Sequence, residues 1–338
     1  MTARPLRALA YIALWGLLLV SATFAVTFGP ADISAGDAWA SVLHHLGLRA
    51  ETPLSHLRDA IVWDLRLPRV LAALGVGAGL ALAGTVMQVM TRNPLADPYL
   101  LGLSSGAALG AVIFLLAGAA LLMPLGAFLG SLAALALALL VAALLGGATP
   151  SRAILAGICI AALASAATSL LIFWSATGDS YREILSWLLG SLSGTGWSDA
   201  LLVGLGLIVC APVILFSGRG LDAFAFGDAA AASLGIHVVR LRWTLLAATA
   251  LLTGVMVAVG GAIGFVGLVV PHAVRLAVGS RHRVLLPASM LVGAIFMLWS
   301  DTAARSLFDP RELPVGIVTA LVGAPAFLLI LLRYRRIT

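Results

Sequence analysis

The residues of this 338-residue chain that could do chemistry are few. Arginines stand at Arg66-Leu67-Pro68-Arg69 and in Asp301-Thr302-Ala303-Ala304-Arg305, beside charge-free apolar runs. Guanidinium is planar and permanently charged, so it suits paired carboxylates; taken alone, arginines at the ends of apolar runs read as interfacial anchors. A serine string, Gly102-Leu103-Ser104-Ser105-Gly106, fits the Gly-x-Ser-x-Gly nucleophile pattern. That pattern needs a strand-to-helix elbow and a histidine partner, and here it lies in an apolar helical run, where small-residue packing is the better reading. Cys159 and Cys210 both fall in apolar runs and read as packing residues, not as a disulfide. No catalytic residue and no metal site are expected.

All twenty basic residues are arginine. A Walker A loop needs its lysine on the nucleotide phosphates, so the chain is not a P-loop ATPase, and a lysine Schiff base is excluded too. Genomic bias accounts for the missing lysine without weakening either exclusion.

The elements that must position these residues are apolar helices. With 62% hydrophobic and 10% charged residues and a mean hydropathy of +1.10, the chain falls in the polytopic membrane class. About 20 apolar residues cross the hydrocarbon layer. On that ruler ten spans are predicted, at 7–28, 70–91, 99–117, 121–146, 151–175, 198–217, 242–262, 263–279, 284–306 and 313–333. The seventh and eighth are the least distinct, because only glycines and Pro271 interrupt the run from Leu245 to Val274. The first follows Arg4 and Arg7 and is read as a retained helix, being long and without a clean cleavage pattern. With both termini inside, thirteen of the twenty arginines lie inside and eleven of the fourteen acidic residues outside. The arginine bias follows the positive-inside rule, and it argues against reading the basic pI as nucleic-acid binding.

Gly84 precedes Pro94 by ten residues and Gly261 precedes Pro271 by ten, each after a glycine- and alanine-rich stretch opening near an arginine, Arg69 or Arg242. An odd number of spans separates the two stretches. They read either as an inverted repeat or as chance in a glycine-rich chain. Stretches such as Gly75-Val76-Gly77-Ala78-Gly79 suit close helix approach in lipid. Ser165, Thr168 and Ser169 give the fifth span a mildly polar face, which either lines a water-filled route or bonds back to its own backbone. Asn93-Pro94 and Asp97-Pro98 force a turn between the second and third spans. The segment from Leu221 to Gly235 is apolar yet too short and charged to span. It reads as two short helices hinged at Gly227 and stopped at Gly235, an apolar surface that meets a partner.

Five ordered stretches carry a family resemblance: Arg66-Leu67-Pro68-Arg69, Asn93-Pro94-Leu95-Ala96-Asp97-Pro98, Gly264-Phe265-Val266-Gly267-Leu268-Val269-Val270-Pro271-His272, His282-Arg283-Val284-Leu285-Leu286-Pro287 and Glu312-Leu313-Pro314-Val315-Gly316. From first helix to last, the chain resembles the FecCD-type permeases of type II ABC importers, which carry ferric siderophores, haem and cobalamin. The resemblance implies an all-α polytopic fold, with residues 1–338 as one transmembrane permease domain of ten helices, an internal inverted repeat and a homodimer around a central pathway. It implies two copies of a separate ATPase that uses the ATP, a periplasmic substrate-binding protein outside, no stably bound cofactor, and a bacterial inner membrane with both termini cytoplasmic.

Carried over residue by residue, Arg66, Arg69 and Arg305 would meet carboxylates of the binding protein. Residues 218–240 would be the coupling helices in the ATPase groove, with Leu221, Gly227, Asp228, Leu234 and Gly235 as the coupling set. Asp228 stands where relatives often carry glutamate. Whole-chain likeness points first to the haem permeases, and Tyr181-Arg182 either attracts haem propionates or is a surface pair, with Arg182 beside Glu183. His44, His45 and His56 fall in an outer loop and His272 in the family's Pro-His turn, so stable haem ligation is not expected. Two other classes stand against this reading. A proton-coupled secondary transporter would place carboxylates in mid-membrane, where Asp301 alone is a candidate, near an outer end. A scaffold protein would leave the ordered motifs unexplained.

Overall fold

The computed structural model describes residues 3–29, 31, 33–145, 150–175, 178–308 and 311–334, and the described residues form helices joined by short turns. In chain order the helices are α1 (Ala3–Thr27), α2 (Ala35–His45), α3 (His56–Ala60), α4 (Leu67–Met90), α5 (Leu103–Leu116), α6 (Met123–Leu144), α7 (Pro150–Ser175), α8 (Gly178–Leu188), α9 (Trp197–Phe216), α10 (Gly218–Phe224), α11 (Asp228–Ser233), α12 (Val238–Gly260), α13 (Val266–Val278), α14 (His282–Ser306) and α15 (Val315–Tyr334). An apolar helix lies at each of the ten predicted spans. Seven are long and apolar enough to cross a membrane; α5, α13 and α15 are apolar but shorter.

Burial sorts the long helices into two layers. The apolar windows of the rod containing α4, of α12 and of α14 are 89%, 72% and 61% buried, against 17–33% for α1, α6, α7 and α9. The sequence explains why α4 sits at the centre, since its glycines remove the side chains that would hold neighbours away. A Cβ on Gly77 would strike the Gly293 carbonyl of α14, one on Gly84 the Gly267 carbonyl of α13, one on Gly79 the Met256 side chain of α12 and one on Gly75 the Val203 side chain of α9. Four faces of one helix are thereby packed at close range. Gly106 and Gly110 of α5 meet Gly126 and Gly130 of α6 in the same way.

The second span begins earlier than its apolar run suggests. Residues His56–Met90 form one helical rod of 35 residues, in which the turn Ile61–Arg66 is π-helical and Pro68 follows in the first turn of α4. Proline lacks an N–H and clashes with the carbonyl four residues back. The wider π turn before it accommodates the ring without ending the rod.

The seventh and eighth spans are separate helices. Gly261, at φ +69°, caps α12, and Phe265 stands at φ +69° before α13. This corrects the proposed copies: Gly84 lies inside α4 and Gly261 beyond the end of α12, while Pro94 lies in a turn and Pro271 inside α13. The matching ten-residue spacings therefore occupy unlike positions, and the break at residues 261–265 falls at the predicted boundary between the seventh and eighth spans. Pro271 cannot donate to Gly267, four residues back. Gln88 of α4 supplies donors there, with Nε2 3.4 Å from the Gly267 carbonyl and 3.1 Å from that of Leu268.

Candidate functional site

Polar chemistry concentrates at the two ends of the bundle. At the end bearing α2 and α3, Arg69 leaves the start of α4 and meets Asp301 of α14. Its Nε lies 3.1 Å from both carboxylate oxygens and its Nη2 2.9 Å from Oδ1. Its Nη1 donates to Glu312 Oε2 at 2.8 Å. The Leu313 N–H donates to the Ala304 carbonyl at 2.9 Å, fixing the strand of chain that carries Glu312 against α14.

Arg66 and Arg305 are used differently. Arg66 Nη1 donates to the Val26 and Thr27 carbonyls at 3.0 and 2.9 Å, and its Nη2 to that of Ala31 at 2.7 Å. Arg305 Nη2 donates to the Ala25 carbonyl. Residues 25–27 are the last turn of α1, whose carbonyls have no helical partner and carry the negative end of the helix dipole. Two arginines from distant parts of the chain cap that end. The chain passes over Arg66 at Gly29, where φ is +144° and a Cβ would stand 2.8 Å from Nη2.

Structure thus brings the three arginines together, but recessed. Their exposures are 5%, 9% and 7%, and all three line one cavity of about 400 Å³ with Glu312, Ser193, Gly194 and Thr195. Anchors would extend toward lipid headgroups; these side chains turn into the protein. The Glu312 side chain, 42% exposed, is the open part of the cluster. A second cavity of about 520 Å³ shares the 193–195 loop and is lined by hydroxyls of Ser186, Ser191 and Ser198 together with Trp187 and Asp199. Among the described residues none that line it is basic.

At the opposite end, residues 218–233 form the expected pair of short helices. Gly227, at φ +109°, separates α10 from α11, and Gly235, at φ +76°, follows α11. Only glycine adopts the first of these values readily. Leu221 is fully buried and Phe224 nearly so, anchoring α10 to the bundle, whereas Phe226 and Leu234 are 83% and 70% exposed. Asp228 turns back toward the bundle: its Oδ1 accepts from Arg92 Nη2 at 2.8 Å and its Oδ2 from Arg242 Nη2 at 2.7 Å. Asp222 Oδ1 accepts the His282 backbone N–H at 2.8 Å and lies 2.7 Å from the ring Nδ1, a bond that places the proton on Nδ1.

In the turn between α4 and α5, Asp97 accepts the Tyr99 N–H at 2.9 Å and caps the next helical turn. Burial pushes its carboxyl up to about 6, with the Tyr99 N–H opposing the rise.

The polar face proposed for the fifth span divides. Thr168 is buried and donates to the Ala164 carbonyl at 2.8 Å, a bond within its own helix. Ser165 is exposed and donates to Ser105 at 3.2 Å, with Ser169 exposed one turn further on. Arg182 belongs to α8, and its side chain lies outside the described residues. Ser104 sits in the first turn of α5 after Gly102 at φ +79°, among apolar helices with no strand before it. Among the described residues no cluster of His, Cys, Asp and Glu could hold a metal ion.

Sequence reasoning missed Asp222, Arg92, Arg242, His282 and Glu312 as interacting groups. The signal available was weak: each is a charged or titratable residue just beyond an apolar run.

The apolar helical bundle, with a cationic recess at one end and an exposed helix pair at the other, is that of an integral membrane protein. The chain belongs to the FecCD transport family, whose profile matches residues 17–333. It is 44% identical over 283 residues to the hemin transport system permease protein HmuU of Yersinia pestis, covering 81% of this chain and 84% of that one. It is 41% identical over 286 residues to the vitamin B12 import system permease protein BtuC of Vibrio cholerae, covering 82% and 85%. A solved structure described as an inward-facing conformation of a metal-chelate type ABC transporter superposes with a TM-score of 0.84 at 33% identity, over 95% of this chain and 98% of that one.

Proposed function

We propose that two copies of this chain form the membrane pore of an ATP-driven importer for an iron chelate, haem favoured, with a ferric siderophore or cobalamin as the alternatives. The supporting observation is the pairing of a recessed cationic cavity at one end with an exposed apolar helix pair at the other. The first suits carboxylates of a periplasmic binding protein, the second the groove of a separate ATPase. In this reading all ten apolar helices cross a bacterial inner membrane, α5, α13 and α15 with the help of flanking turns, and both termini are cytoplasmic.

Arg66, Arg69 and Arg305 form the docking recess. Phe226 and Leu234 make the ATPase contact, Leu221 anchors it, and Gly227 and Gly235 supply its bends. Ser165 and Ser169, exposed on one face of α7, border the pathway. No cofactor is held by the permease, and ATP is used by the partner. The similar identities to a hemin permease and a vitamin B12 permease support the chelate class without ranking its members.

The competing proton-coupled reading needs a carboxylate free to take up and release protons. Asp301 is committed to Arg69, which favours ATP as the energy source. The deciding experiment is reconstitution with the cognate ATPase and binding protein, followed by uptake of haem, cobalamin and a ferric siderophore side by side. ATP-dependent uptake of one chelate is the expected result. Uptake that follows a proton gradient without ATP overturns the proposal.

A further inference from the structure

Both acidic residues of the α10–α11 segment face the bundle, and the helices they reach are not a random selection. Asp228 holds Arg92, two residues beyond the end of α4, and Arg242 in the first turns of α12. Asp222 holds His282, the first residue of α14. These are the three most deeply buried of the long helices. Arg242 reinforces the tie, with its guanidinium carbon 5.7 Å from the centre of the Phe224 ring in α10.

We infer that Asp222 and Asp228 are the transmission points of the coupling segment, and that Arg92, Arg242 and His282 are the positioning residues through which its movement reaches α4, α14 and α12. The inference rests on the coupling role proposed above and divides the segment's labour. Phe226 and Leu234 face the partner; the two carboxylates face the spans. A charge-assisted bond is short and directional, so one carboxylate bonded to two helices constrains their spacing as an apolar contact does not. When α11 is displaced, Asp228 carries the ends of α4 and α12 together. Arg92 is held at φ +50°, an uncommon conformation for a residue other than glycine, which directs its side chain toward Asp228.

The test uses the whole transporter in proteoliposomes, with the permease, its ATPase and its binding protein, and with haem and cobalamin each supplied as the probe. Arg92→Gln and Arg242→Gln are expected to co-purify with the ATPase and to hydrolyse ATP at the basal rate. Chelate moved per ATP should fall at least about threefold, in line with couplings carried by such networks. Arg92→Lys shares the backbone strain of Arg92→Gln but keeps the charge, and it should restore the ratio. An unchanged ratio in both glutamine variants overturns the inference. So does Arg92→Lys failing as badly as Arg92→Gln, or loss of ATPase co-purification in either glutamine variant. Phe226→Asp separates the underlying reading: if that variant still binds the ATPase, the coupling assignment itself is wrong.

Discussion

Arg69 grips Asp301 from the far side of the chain, 232 residues away in sequence, through Nε and Nη2 together. This bond joins the start of α4 to the last turns of α14, the two inner helices that also meet through Gly77 and Gly293. Asp301 is fully buried, so removing Arg69 leaves its charge with only the longer 3.8 Å contact to Arg305 Nε. Arg69→Ala should destabilise the protein by about 3–5 kcal/mol, the usual effect of breaking one side of a buried pair. Arg69→Met combined with Asp301→Leu should be much milder. Thermal unfolding of the purified permease distinguishes them, and equal loss in both would show that packing, not charge, dominates the site.

Glu312 holds the remaining arm of Arg69 from a half-exposed position. A binding protein bringing its own carboxylate must compete with it. Glu312→Gln should therefore raise affinity for the binding protein, chiefly through a faster association rate at low salt, and the gain should shrink as salt screens the charge. Binding measured on permease in nanodiscs over a salt series checks this. Weaker binding in the variant would mean that Glu312 is itself a contact.

Asp97 makes stability depend on pH in a defined window. Its folded pKa of about 6 lies above the 3.8 of a free carboxyl, so the fold prefers the neutral acid. Its contribution is fully present below about pH 4 and is lost as pH rises through 6. Asp97→Asn keeps an acceptor for the Tyr99 N–H and removes the charge. The variant should gain stability over the parent above pH 6, by at most about 3 kcal/mol, and converge with it near pH 4. A stability difference that does not change between pH 4 and 8 would contradict the assignment.

Gly84 tests the central packing. A side chain there meets the backbone of Gly267, which cannot move aside as a flexible side chain can. Gly84→Ala should cost about 1–3 kcal/mol and Gly84→Val should prevent stable assembly. Gly16 has nothing within reach of an added Cβ, so Gly16→Ala is the control, and both are read from yield and melting temperature in detergent.

The positions of the helices were legible because apolar length is a strong signal in lipid, and even the indistinct pair at residues 245–274 resolved into α12 and α13. Glycine spacing misled, since a glycine that lets α4 approach α13 and a glycine that caps α12 look alike in sequence. The stretches Arg66-Leu67-Pro68-Arg69 and Asp301-Thr302-Ala303-Ala304-Arg305 located the arginines, but not that Arg66 and Arg305 cap α1. That relation depends on where the chain returns 40 and 280 residues later. The direction of Asp228 was hidden for the same reason: an acid in an exposed helix pair looks like a partner contact until Arg92 and Arg242 are seen beside it.

The rod from His56 to Met90 has one more consequence. At 1.5 Å per residue its 35 residues extend about 50 Å, well beyond the roughly 30 Å of hydrocarbon. Its upper part therefore stands clear of the lipid as a pillar. Because Pro68 is accommodated by the widened turn, the helical rod runs without a break from His56 to Met90 and joins the Arg66 end of the bundle to the turn that carries Arg92.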